Sequence, residues 1–571
     1  MTSTATYCDK YAKGRRGFLV LLVFFAVAFF YWPAVRHSFV NYDDNDYVLY
    51  NPHVLEGLSL KGLAWAATSV GYAWNWHPLT WMSLMADVSL SGSELRALRP
   101  DEPFPHPPHP APVQRMSAVM HGHNVLLHAA NAALLLLLIS MIVRRYTGDD
   151  APSLWCDVLV ALVVLLWAVH PLRAEAVAWI SERKELLCAF WSLLALIAHL
   201  LYRQVWPAVA CLALAVAAKP VAVTLPAVMW ALDLSVMEKV RWRRLTWCGL
   251  VAAIGCALTL VAQRGNMAGM ELVSLDKRVL HALAAPVVYL RQMIWPAGLI
   301  HFYPISEGSG WIEVVLGAAV WAAGAIVCIW AVACPAKAKR LAVLAASWCL
   351  VGLLPMSGII QVGSQLHADR YTYWIGAGLV ACAAAAIAGF AVRGDARPPV
   401  SGAVRRGRFV ILMVVAAILV PYGVCGFRQI AVWRDSGALL KHAYETSGTA
   451  KAATDWAEYL VEENPVEAER VYRVSLTRGA VPPALSGLAF LLAVKQEASD
   501  FAEAKRLAAQ ALEMAPDEHR ARVALGICAI REDRLWDAER ILSEAVAEDA
   551  ADVMAAGLLR QVRARCTPAG K

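Results

Sequence analysis

Charge is scarce in this chain, and the usual signatures of a soluble enzyme are missing. Only 17% of its 571 residues are charged and 59% are hydrophobic. That balance excludes an ordinary soluble domain and indicates a polytopic membrane protein. Thirteen cysteines are scattered, mostly inside apolar segments, with no Cys-x-x-Cys pair, so neither a disulfide framework nor a zinc site is indicated. No Gly-x-x-x-x-Gly-Lys-Ser/Thr loop is present, so no soluble nucleotide site is expected. The formal net charge of +7 comes from short Lys/Arg clusters between apolar segments, a membrane-topology pattern rather than a nucleic-acid one. Lys10, Lys13, Arg15 and Arg16 precede the first apolar run, Phe18 to Val35, but no small-residue cleavage site follows. The run reads as an uncleaved first helix.

Apolar segments of the roughly 17–25 residues needed to cross a bilayer, some of them short, fall near 17–36, 119–142, 154–170, 186–202, 205–218, 221–236, 245–263, 311–333, 341–357, 372–392 and 408–427. The expectation is an all-α chain with eleven transmembrane helices. A further apolar piece, 279–299, carries His281, Pro286, Arg291, Gln292 and Pro296 and is expected to lie in the interface. With that count the clusters at 10–16, 144–145, 203, 239–244, 337–340 and 393–408 share one side, the cytoplasmic one. Loops 37–118, 171–185, 264–310 and 358–371 and the C-terminal region then face the periplasm or exterior of a bacterial inner membrane.

The first of these loops opens on Asn41-Tyr-Asp-Asp-Asn-Asp-Tyr-Val-Leu-Tyr-Asn-Pro-His53. Asp43, Asp44 and Asp46 at the bilayer edge suit a general base or a metal; the same residue types also make a solvated turn. Leu60 to Val70 and Thr80 to Leu90 have helical apolar spacing with Trp65, Trp74, Trp76 and Trp81 nearby, as in helices lying along a membrane surface. Residues 100–112 form a proline-rich linker, in which His106 and His109 fit an extended chain better than a metal site.

Polar groups recur at the outer ends of spans, where burial is costly unless they are paired or used. Arg183, Lys184, Lys219 and Arg370 gather on the face that carries Asp43 and Asp44, and together suggest a site for an anionic headgroup beside a carboxylate. Snorkelling, or local pairing of Arg183 with Glu182 or Glu185, is the bland alternative. His121, Asn124, His128 and Asn131 lie near one face of the second span and suit interhelical hydrogen bonds better than a metal.

After Val432 the chain turns polar. Segments 467–476, 503–512 and 537–546 align at offsets of 36 and 34 residues, and Pro482 and Pro516 are 34 apart. This period predicts tetratricopeptide repeats, an α-solenoid whose concave face commonly binds peptides.

The ordered set Phe39-Val-Asn-Tyr-Asp-Asp44, Asn51-Pro-His-Val54, His77-Pro-Leu-Thr80, His123-Asn-Val-Leu-Leu-His128, His170-Pro-Leu-Arg-Ala-Glu-Ala-Val177, Glu182-Arg-Lys-Glu-Leu186, Lys219-Pro220, Thr224-Leu-Pro226 and Asp369-Arg-Tyr371, followed by the repeats, resembles the C-type glycosyltransferase superfamily. Within it the likeness is to bacterial relatives of the transmembrane and tetratricopeptide-repeat-containing O-mannosyltransferases. The resemblance implies a catalytic membrane domain over 1–436 and an outward-facing repeat domain over 437–571. It implies inverting transfer of mannose or another hexose from a polyprenyl-phosphate donor to an acceptor such as protein Ser or Thr. Asp43 maps onto the base with Asp44 beside it, their roles not separated. Arg183, Lys184, Lys219 and Arg370 would bind the donor phosphate; His77, Arg173, Glu175, Asp369 and Tyr371 would position substrate. No cofactor or metal is expected, and the partners are the lipid-linked donor, the bilayer and a protein acceptor held by the repeats. The competing expectation is a non-catalytic scaffold whose repeats recruit envelope proteins.

Overall fold

The structure, a computed structural model, describes residues 2–92, 109–148, 154–237, 239–264, 273–305, 308–333, 337–360, 365–395, 402–495, 498–549 and 552–566. Among these, an isolated bridge between Pro304 and Gln365 interrupts an otherwise all-helical pattern. The chain divides into two compact units, Met1–Asp435 and Ser436–Lys571.

The first unit contains α1 (Thr2–Tyr31), α2 (Leu60–Thr68), α3 (Pro78–Ser91), α4 (Ala111–Thr147), α5 (Leu154–Ala168), α6 (Arg183–Leu201), α7 (Trp206–Ala218), α8 (Leu225–Val236), α9 (Trp242–Ala262), α10 (Leu275–Ile294), α11 (Trp311–Ala333), α12 (Lys337–Ala346), α13 (Thr372–Asp395) and α14 (Gly402–Val432). The bounds follow local chemistry. α2 starts where the Ser59 hydroxyl accepts from Gly62 N–H at 3.0 Å. α3 opens on Pro78, whose missing N–H costs nothing in a first turn. α4, 37 residues and so about 55 Å long, stops at Gly148, which adopts φ 74°. Between α7 and α8, Pro220 removes a backbone donor and pushes Lys219 into extended geometry, φ −157° and ψ 139°.

Among the described residues six helices are long and apolar enough to cross a membrane: Gly14–Arg36, Ala111–Thr147, Ile180–Leu201, Trp242–Ala262, Trp311–Trp330 and Phe409–Val432. A seventh arises if Leu154–Ala168 and Pro171–Ala178, bent by 60°, count as one span. This is fewer than the eleven expected, and the shortfall has a physical reason in part of the chain. The break at Lys219-Pro220 leaves the 13 residues of Trp206–Ala218, only about 20 Å of helix against a hydrocarbon core of about 30 Å. Leu341–Met356 is likewise short. Residues 279–299 form most of α10, with Pro286 inside the helix.

Opposite helix ends collect opposite chemistry. Arg15 pairs with Asp157 at the start of α5, Arg145 donates to Leu200 C=O at 3.1 Å, and Arg244 donates to Tyr202 C=O at 2.7 Å. At the other end the loops bearing Asp43, Glu175 and Arg370 converge.

The second unit consists of α15 (Ser436–Thr446), α16 (Ala450–Glu463), α17 (Pro465–Arg478), α18 (Pro482–Val494), α19 (Ala498–Met514), α20 (His519–Arg531), α21 (Leu535–Glu548) and α22 (Val553–Cys566). The three aligned segments fall in α17, α19 and α21, and Pro482 opens α18. Small residues set the spacing: Ala453, Ala457, Ala468, Ala484 and Ala508 are buried. At Gly487 a Cβ would lie 2.5 Å from the Tyr472 ring, so only glycine lets those helices meet.

Candidate functional site

The acidic stretch follows α1 after a short helical turn, Trp32–Arg36, and a few extended residues, and its two adjacent carboxylates have different surroundings. Asp44 is buried. It accepts from Val40 N–H at 3.0 Å, Ser181 N–H at 3.0 Å and the Ser181 hydroxyl at 2.5 Å, which staples the segment after α1 to the one before α6. Burial raises its pKa to about 6 although these bonds pull the other way. Asp43 is half-buried, and its carboxylate accepts no hydrogen bond from the described residues. Burial lifts its pKa above the ordinary carboxylate range, opposed by the positive fields of Lys184 and Arg370. A carboxylate lifted in this way, and unspent in internal bonding, is a stronger base than an ordinary one.

The cations beside it come from three elements. Lys184, in the first turn of α6, lies 3.0 Å from Glu182 and 4.5 Å from the Tyr47 ring centroid. Lys219, pinned by the break before α8, lies 2.5 Å from Glu185 and 3.3 Å from Glu182. Arg370, on the helical turn Asp369–Tyr371, pairs with Glu175, donates its backbone N–H to the same carboxylate at 2.7 Å, and reaches Glu182 at 3.2 Å. Glu182 is therefore a hub for all three. Each of the three is matched by a buried glutamate, because charge at this depth must be compensated.

Arg183 is the clearest correction. It is fully buried, 2.8 Å from Asp87, and donates to Ser83 at 2.9 Å, Met120 C=O at 2.6 Å and the Asn124 side chain. It clamps α3 to α4 and is not at the cluster. The local pairing of Arg183 with Glu182 or Glu185 does not occur either; those glutamates serve Lys184, Lys219 and Arg370.

The expected positioning residues separate into near and far. Tyr371 lies under Arg370 and Lys219, with ring centroids 5.1 and 5.7 Å away, and accepts from Gln365 at 3.0 Å. Glu175 orients Arg370. Asp369 is buried and accepts from the Tyr303 hydroxyl at 2.9 Å, and burial with Glu175 nearby holds its carboxyl well above the usual range. His77 is buried against Tyr47 and Trp81, 5.4 and 4.6 Å between ring centroids, and burial holds it neutral. It supports Tyr47 and so acts one layer behind Lys184. Arg173 donates to Thr372 at 2.5 Å and lies 5.7 and 5.5 Å from the Trp167 and Tyr373 rings. It forms part of the packing behind the loop.

An aromatic lining was not anticipated. Trp179 lies 5.6 Å from Lys184 and 5.3 Å from Arg370, stacks on Trp433 at 5.3 Å and meets Tyr42 at 5.2 Å. Tyr42 also meets His301 at 5.0 Å. The signal was present: Tyr42 and Tyr47 bracket the three aspartates in sequence.

The polar face of α4 makes interhelical bonds. Asn124 donates to Trp179 C=O and Asn131 to Leu186 C=O, each at 3.0 Å, while His128 bridges Tyr373 at 2.7 Å and Ala168 C=O at 3.0 Å. His121 packs edge-on to His37 at 5.8 Å. His109 is buried beside Phe39, and His106 lies outside the described residues. Among the described residues no three His, Cys, Asp or Glu side chains gather as a metal site requires.

Residues 496–562 match the tetratricopeptide repeat family. Among solved structures the chain is similar to the crystal structure of yeast Tom70, at 14% identity over 76% of this chain and 97% of that one, with a TM-score of 0.22. A score that low carries no argument about the fold of either unit. No curated protein matches the sequence. What is established is thus an all-α chain with several helices able to span a membrane and, at its C-terminal end, tetratricopeptide repeats of the kind that mediate protein–protein contact.

Proposed function

We propose that the chain is an inverting glycosyltransferase of the C-type class, moving a hexose such as mannose from a polyprenyl-phosphate donor to an acceptor hydroxyl on the periplasmic face of a bacterial inner membrane. One observation carries the reading. Asp43 is an accessible carboxylate with no internal hydrogen bond from the described residues, set beside Lys184 and Arg370, while its neighbour Asp44 is consumed in structure. Asp43 takes the proton of the acceptor hydroxyl; the oxygen bonds to the anomeric carbon as the carbon–phosphate oxygen bond breaks, and the electron pair leaves with the lipid phosphate. Lys184 and Arg370 meet the charge growing on that phosphate, with Lys219 behind them. Because Glu175, Glu182 and Glu185 already hold these cations, the phosphate shares them, which favours release of product. The repeats recruit the acceptor, a protein Ser or Thr in this reading.

The test is glycan and intact-mass profiling of envelope fractions from cells lacking the protein, complemented with wild type, Asp43→Asn or Asp44→Asn. Wild type restores a one-hexose mass increment on its acceptor and Asp43→Asn, expressed to the same level, does not. An unchanged increment with Asp43→Asn would favour a scaffold that recruits partners through its repeats.

A further inference from the structure

A second feature lies outside the Asp43 cluster. Where α1, α5 and α14 meet, a crevice of about 510 Å³ is lined by Ala26, Phe30, Leu165, Val169, Val420 and Gly423, among other apolar groups, and by a single charged side chain, Arg428. Two glycines of α14 shape it. At Gly426 a Cβ would fall 2.3 Å from Val169 C=O, so its absence lets α14 close onto α5. At Gly423 a Cβ would meet only Phe30, at 3.9 Å, so its absence leaves space.

The crevice sits at a particular depth. α1 ends at Tyr31, α5 at Ala168 and α14 at Val432, and the Tyr31 hydroxyl donates to Ala168 C=O at 3.1 Å. All three helices end here, on the side from which the loops to Asp43 and Glu175 depart. Arg428 lies four residues before the end of α14, about 6 Å along its axis, which is headgroup level if α14 spans. From Leu419 to Arg428 the wall runs about 13 Å, the reach of a hydrocarbon chain descending from that level. Both α1 and α14 are among the helices apolar enough to cross a membrane, with only 22% and 6% of their apolar windows covered by protein. Arg428 is exposed, with no hydrogen bond or ion pair to any described residue.

We infer that this crevice is a binding site for one anionic phospholipid of the outer leaflet, its phosphate on Arg428 and one acyl chain along Gly423. An arginine at the bilayer edge with no protein partner takes its counter-charge from a lipid phosphate, and the apolar walls accept only hydrocarbon. The donor of the proposed reaction is a poorer occupant. Its phosphate must stand at Asp43, where the leading charges are Lys184, Arg370, Glu182 and Asp46.

The experiment is native mass spectrometry of the full chain in detergent, titrated with phosphatidylglycerol, phosphatidylcholine or farnesyl phosphate. Wild type should retain one phosphatidylglycerol in preference to phosphatidylcholine. Arg428→Gln should weaken that binding about fivefold, the weight of one basic side chain at an anionic surface. Gly423→Leu should abolish it, by filling the space without a backbone clash. Arg406→Gln, at the opposite end of α14, should change nothing. Equal retention of the two phospholipids, unchanged binding in both variants, or displacement of phosphatidylglycerol by farnesyl phosphate would overturn the assignment.

Discussion

Two neighbouring aspartates carry different burdens, and their variants should separate accordingly. In the proposed reading Asp43→Asn should cut transfer by about 10²–10⁴-fold with an unchanged melting temperature. The acid limb of the wild-type rate profile should lie above the ordinary carboxylate value of 3.8, since burial raises Asp43. Asp44→Ala strands two backbone donors and a hydroxyl, at a cost of about 1–3 kcal/mol. Its pH signature follows from the pKa of about 6 against 3.8 for an ordinary aspartate. Between those values the folded chain holds a proton that the unfolded chain has lost. The stability this carboxyl adds is full below 3.8 and is lost as pH rises through 6. The melting-temperature difference between wild type and Asp44→Asn should therefore fall between the ordinary value of 3.8 and about pH 6, and be flat above it. None of this division was legible in the sequence, because two identical residues side by side differ only in which way the backbone aims them. The misplacement of Arg183 has a related cause that could have been read. Successive helical residues point about 100° apart, so Arg183 and Lys184 cannot face one site.

At the scale of elements, Glu182 joins α6, the break between α7 and α8, and the turn before α13. Glu182→Gln leaves three buried cations short of a partner and should cost on the order of 3–5 kcal/mol. Glu313→Gln removes a pair whose arginine, Arg291, is 61% exposed, and should cost about 0–1 kcal/mol. Thermal melts of the two variants in one detergent check the contrast. In the repeats, Gly487→Ala drives a methyl into Tyr472 and should cost about 1–3 kcal/mol, read as faster hydrogen exchange across α17 and α18. The repeats were legible because an Ala-x-Arg pattern and proline recur at a helical-pair period. Among the described residues fewer helices reach spanning length than the hydropathy suggests, because hydropathy registers apolar content and not helix length, and the helices on either side of Lys219-Pro220 are short. The cluster was half legible: its cations stood out, but the glutamates that neutralise them sit in the same short motifs and only tertiary packing decides who pairs with whom.

For the whole molecule, the bond from Ser38 N–H to Arg434 C=O, 2.9 Å, matters most. It ties the last residues of the first unit to the segment that leads into the loop carrying Asp43, and α15 begins at Ser436. In the proposed reading, single cysteines at Asp46 and in 437–571 should react with an impermeant maleimide from the same side of sealed vesicles. Reaction from opposite sides would exclude any joint action of the two units. A flexible insertion of about 20 Gly/Ser residues after Asp435 should lower transfer at limiting acceptor, the more so the longer it is, with an effective concentration falling roughly as the −3/2 power of length. In the proposed reading the junction would then work as a leash: an acceptor held by the repeats would stay tethered to the unit that carries the carboxylate and would meet it more often than free diffusion allows, so weak recognition of any one sequence would be enough.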